Sequence, residues 1–173
     1  MQRCDTLVAD NIAVLKQGIE LASCLGPIFS SVTPGYLQGS IGAHFRHCID
    51  FYTCFLSSAH SGRINYDLRA RNERVESDPE LAAFELQAIA DALRSFTFAD
   101  GHTELLVVLE GSTRIGERPC WSRSSIAREL QSLSSHTVHH YAFIAIALRL
   151  QGIEPASEFG IAPSTLEYWR RTA

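Results

Sequence analysis

The chain has 173 residues, 46% of them hydrophobic and 20% charged, with a formal net charge of −4. That length suits one domain able to bury a continuous core, and the composition sets it among globular proteins rather than disordered or fibrous ones. The acidic balance argues against nucleic acid as a partner, since even the arginine-dense stretch from Arg63 to Arg74 is interleaved with Asp67 and Glu73.

The N-terminal MQRCDTLVADNIAVLKQG carries charges every few residues and lacks the apolar centre of a signal peptide. No uninterrupted apolar run nears the ~20 residues of a membrane helix, so no membrane partner is expected. The five cysteines are odd in number and form no CxxC pair; they read as free thiols in a reducing compartment, and a cytoplasmic location is the expectation.

A first helix is expected from Asp5 to about Leu25, where Leu7, Ile12, Leu15, Ile19 and Ala22 recur at helical spacing and Gly26-Pro27 stops it. A proline- and glycine-broken loop follows, and Ser40 stands where an N-cap belongs. The second helix runs from about Ile41 to Ser58 with an apolar stripe of Ile41, Phe45, Cys48, Tyr52, Phe55 and Leu56. The polar stretch SGRINYDLRARNERVESDP then reads as a loop long enough to be functional or to cover a site.

Asp78-Pro79-Glu80 opens a third helix that ends near Ser95. Between Thr103 and Glu117 a β-rich run, a Gly-Ser turn and a second short run suggest a small hairpin. The fourth helix begins at Ser122, Ser124 or Ser125 and continues to Gly152, a C-cap glycine, and Pro163 introduces one last short turn. Four amphipathic helices with a long crossover after the second make an all-α four-helix bundle, with a small β-hairpin between the third and fourth helices, the expected architecture.

Of the seven histidines, five fall in the windows IGAHFRHCID and SSHTVHHYAF. His136 and His140 are four residues apart, which puts both imidazoles on one face of a helix, where they can share an ion. The spacing alone is a weak signal, because two core histidines hydrogen-bonded to other buried groups would show it too. Helical phase places His140 inside the stripe of Ile126, Leu130, Leu133, Tyr141, Ile144 and Leu148, with His136 on its edge and His139 pointing away. On the second helix a third ligand could be His44 or His47, one turn apart; phase favours His44, and both remain open.

The segments SIGAHFRHCID and SHTVHHYAFI together resemble the DinB/YfiT-like superfamily of metalloenzymes. The resemblance implies an up-down-down-up four-helix bundle with a divalent transition metal (zinc, nickel or iron) at one end. The family's early motif maps onto Ser40, Ile41, His47 and Asp50, which selects His47 over His44, and its late motif onto His136 and His140. It further implies a small-molecule substrate, a low-molecular-weight thiol as co-substrate, and a homodimer.

A three-histidine ion with an open position can acidify bound water or thiol and polarise a carbonyl as a Lewis acid. Around it, Asp50 could orient an imidazole. Glu129 could act as a base, or simply pair with Arg46 or Arg128. Arg69 and Arg71 of the long loop could hold an anionic substrate. Cys48 adjoins His47 and reads as core. Two functional classes follow: a metal-dependent transferase or hydrolase, and a metal-binding bundle with a stress-response or structural role and no turnover.

Overall fold

The computed structural model describes residues 2–32, 39–96, 102–108 and 118–172. Among these residues lie five α-helices: α1 (Gln2–Leu25), α2 (Ile41–Ser58), α3 (Pro79–Ser95), α4 (Ile126–Leu150) and α5 (Pro163–Thr172). Three strands accompany them: β1 (Arg63–Asn65), β2 (Glu104–Val108) and β3 (Ser122–Ser125).

Local chemistry sets the helix starts. Ser40 Oγ accepts from Ala43 N at 3.0 Å, Asp78 Oδ1 from Leu81 N at 2.9 Å with Pro79 following it, and Ser125 Oγ from Arg128 N at 3.3 Å. Each cap satisfies one of the N–H groups that a helix start leaves without an intrahelical partner. At the far end of α4, Gly152 adopts φ 78°, letting the N–H of Ile153 turn back onto the carbonyl of Leu148 at 2.9 Å.

The expectation of a four-helix bundle with a two-strand hairpin is corrected on two counts. The described residues hold a fifth helix and a three-stranded mixed sheet in the order β1-β2-β3. β2 is the apolar run anticipated as a hairpin arm, but it pairs in parallel with β1, Ile64 opposite Val107, and antiparallel with β3, Leu106 opposite Arg123. The Gly111-Ser112 turn and the second run proposed for the hairpin lie outside the described residues. The long segment after α2 is correspondingly no bare loop: it contributes β1 and two 3-10 turns, Tyr66–Leu68 and Glu73–Glu76, and buries Ile64, Tyr66 and Val75. The final turn is a ten-residue helix with Leu166 buried.

The core lies where α1 and α2 each pack on both α3 and α4. The segment Asp5–Ser30 is long and apolar enough, by length and composition alone, to cross a membrane. Here its Val14, Leu15 and Ala22 are core residues. A buried polar link fixes how three of these helices meet. Asn11, wholly buried on α1, donates to Leu7 O at 2.7 Å and Leu130 O at 3.0 Å, and its Oδ1 accepts from the Tyr52 hydroxyl at 2.6 Å.

α1 approaches α4 closely at Gly18, where a Cβ would fall 1.9 Å from the Tyr141 hydroxyl. That hydroxyl is itself buried without a hydrogen-bond partner among the described residues. Gly18→Ala is therefore expected to destabilise the fold by about 1–3 kcal/mol through overpacking. Tyr141→Phe alone should be neutral or stabilising, since it removes an unsatisfied buried hydroxyl. The double variant should recover only part of the loss, because Cζ of the ring would still lie 2.7 Å from the added Cβ; urea midpoints of the four proteins measure the coupling, and additive effects would contradict this account of the crossing.

Candidate metal centre

Because Ser40 caps α2, His44 and His47 fall in its first two turns, and His47 lies tilted against Phe51 one turn further along, their ring centres 4.9 Å apart. α4 runs alongside, brought close by the contact of Phe45 with Tyr141 at 5.7 Å between ring centres. It presents His136 and His140 one turn apart, their rings 4.6 Å from each other. The three rings of His47, His136 and His140 are each partly buried and meet between the two helices.

The Nε2 atom of His136 lies 3.2 Å from Nε2 of His47 and 3.1 Å from Nε2 of His140. A ring nitrogen has one in-plane direction, occupied by either a lone pair or a proton, so Nε2 of His136 can hydrogen-bond one of these neighbours but not both. A cation removes the conflict, because three lone pairs can then converge on one point. With bonds of about 2.0–2.1 Å, a tetrahedral ion holds its donor nitrogens roughly 3.3–3.4 Å apart, close to the two separations seen here. The donor atoms of the cluster all lie within 4.8 Å of one another, and the residues present fit a divalent ion that favours imidazole.

Burial, reinforced by the neighbouring imidazoles of His136, His47, His44 and His139, lowers the pKa of His140 to about 3. The ring is thus neutral near pH 7, as a donor must be. His44 does not join the cluster. Its Nδ1 meets Nδ1 of His140 at 2.8 Å, on the ring edge turned away from His136. Burial, and then the charge of His139, lowers its pKa as well. Helical phase favoured His44 as the third member, but proximity to the stripe centre does not decide which nitrogen faces α4. His139 is exposed and sets its edge against Phe143 at 4.5 Å.

The other candidates have different employment. Asp50 accepts from Arg46 at 3.1 Å and from Asn72 N at 3.4 Å rather than from an imidazole, and Arg46 also reaches Glu76 at 2.6 Å. These bonds fasten the 72–76 segment to α2. Burial raises the pKa of Asp50, while Asn72, Arg46 and Arg69 pull it down. Arg69 is buried over the Phe51 ring at 4.6 Å and donates to Tyr66 O at 2.8 Å; Arg71 is exposed.

Glu129 is buried and pairs with no arginine among the described residues. It accepts from the Tyr66 hydroxyl at 2.9 Å and from Ser124 Oγ. Burial and then Glu129 raise the Tyr66 pKa, which keeps the phenol protonated as the donor.

Sequence reasoning missed Phe51 and Tyr66 as site residues. Phe51 stacks on Tyr66 at 5.0 Å and touches the His136 ring at 4.5 Å, forming an apolar wall on one side of the cluster. The available signal was the phase of Glu129, two turns before His136 on the buried side of α4, because a buried carboxylate must find donors. Beside His136 opens a depression of about 550 Å³ lined by Arg128, Gln131, Ser132, Ser135 and His139.

No family model matches the chain, and no solved structure matches it. Among curated proteins, a Rhizopus delemar protein named FK506-binding protein 5 is 34% identical over 110 residues, which cover 62% of this chain and 28% of that protein. The chain thus spans little more than a quarter of that relative's length.

Cys48, next to His47, is wholly buried, and burial pushes its thiol up to about 12. It should resist an aromatic disulfide reagent in the native protein and react only on unfolding, while the exposed Cys24 and Cys120 react at once. Peptide mapping of the modified thiols checks this; rapid native labelling of Cys48 would show the α2–α4 seam to be open.

Proposed function

We propose that this protein is a divalent-metal protein related to the DinB/YfiT-like enzymes, holding zinc, nickel or iron through Nε2 of His47, His136 and His140 and acting on a small molecule. The convergence of the three nitrogens at 3.1 and 3.2 Å carries the reading, since protein hydrogen bonds alone cannot satisfy it. An ion held by three imidazoles supplies Lewis acidity at its remaining position.

The chain's own residues supply the surroundings. Burial keeps His140 neutral. Phe51, backed by Tyr66, excludes water from one side of the cluster. The depression beside His136 is lined by hydroxyl, amide and imidazole groups with the Arg128 cation at its edge, a lining that suits a small polar substrate bearing negative charge. A low-molecular-weight thiol as co-substrate, in a transferase or hydrolase reaction, is what the DinB/YfiT-like resemblance implies, and the motif of Ser40, Ile41, His47 and Asp50 supports that resemblance through its ligand histidine. The exposed free thiols of Cys24 and Cys120 accord with a reducing, cytoplasmic setting. The stretch shared with the Rhizopus delemar protein is 28% of its length, so the ligand in that protein's name is not carried over.

Elemental analysis of protein purified without a histidine tag should find about one transition-metal ion per chain. His136→Ala and His140→Ala should each leave it well below stoichiometric, because two imidazoles hold a divalent ion far less tightly than three. Full occupancy in both variants would rule out this site.

A further inference from the structure

On the premise that the cluster holds a metal, we propose that His44 is a positioning residue: its Nδ1 accepts the Nδ1–H of His140 and so presents the Nε2 lone pair of His140 to the ion. The two Nδ1 atoms are 2.8 Å apart, and Nε2 of His140 lies on the opposite side of its ring, 3.1 Å from Nε2 of His136. A neutral imidazole carries one proton, and a coordinating nitrogen carries none. The proton of a coordinating His140 therefore sits on Nδ1, where the nitrogen in reach is that of His44.

His44 must then hold its own proton on Nε2. That atom is buried and has no hydrogen-bond partner among the described residues. Nothing in the surroundings of Nε2 selects this tautomer, so the demand comes from His140. The geometry also differs from that of a fourth ligand, for His44 approaches the outer edge of His140 and not the side that faces His136. Its ring is held by the capped first turn of α2 and by Phe143, 6.0 Å away between ring centres. Metal-bound histidines are commonly oriented by a carboxylate or carbonyl at the second nitrogen. Here a second imidazole from the facing helix takes that place.

The test uses Co(II) as probe on the full chain, with affinity read by chelator competition and coordination by the visible d–d bands. His44→Ala should weaken Co(II) binding about 10–100-fold, the usual effect of losing such a partner. His44→Asn puts a carbonyl oxygen near the position of Nδ1 and should restore most of the affinity and the wild-type bands. Nitrogen-15 spectra of the protein loaded with diamagnetic Zn(II) should show His140 protonated on Nδ1 and His44 protonated on Nε2 with its Nδ1 accepting; a His44 protonated on Nδ1 in the loaded protein overturns the proposal. Wild-type affinity in His44→Ala overturns the proposal while leaving the metal site standing, as does a His44→Asn variant no tighter than His44→Ala. A wild-type protein that binds no Co(II) overturns both.

Discussion

An imidazole nitrogen can donate or accept in one direction only, and three such nitrogens meet in the seam between α2 and α4. This constraint governs the molecule around it. Four partly buried rings are linked here, His47, His136 and His140 against one another and His44 against His140, and burial disfavours charging His44 and His140. Neutral rings bring lone pairs face to face. The arrangement persists only if the helices carrying them are held at a fixed separation by contacts made elsewhere.

Those contacts are polar as well as apolar. Asn11 uses both its amide donors and its carbonyl on Leu7, Leu130 and Tyr52, so α1 grips α2 and α4 at once. On the other flank Arg46 bridges Asp50 and Glu76, and Gly42 lets the 73–76 turn lie against α2, since a Cβ there would come 2.1 Å from the Glu76 carbonyl oxygen. Glu129 joins α4 to Tyr66 and Ser124. Buried polar groups with every partner supplied specify a single geometry, whereas apolar packing tolerates small slips.

What could be read from the chain was local. Ser40 and Asp78 announce the starts of α2 and α3 because capping involves residues within one turn, and Gly152 announces the end of α4 for the same reason; the start of α4 was legible only to within Ser122, Ser124 and Ser125, of which Ser125 is the cap. The facing of His136 and His140 follows from a four-residue spacing. The sheet could not be read this way. β1 has three residues in a polar stretch and β3 is Ser-Arg-Ser-Ser, both poor in β-formers; they are strands because β2 offers them an edge. The same limit applies to Asp50, Arg69 and Glu129. Their residue types signalled chemistry, but their partners Asn72, Phe51 and Tyr66 are set by long-range packing that no window of sequence displays.

β1 follows the helix bearing His47, and β3 runs directly into the helix bearing His136, with β2 between them as common partner. The parallel pairing of β1 with β2 encloses the whole of α3, and the contact of His47 with His136 closes 89 residues of chain. Each is a slow, entropically costly closure compared with growth of a helix. The individual helices can therefore form well before the rings are brought together. Contacts made after the folding transition state act chiefly on the unfolding rate. For a seam that closes late, whatever strengthens it would lengthen the lifetime of the native state more than it hastens its formation.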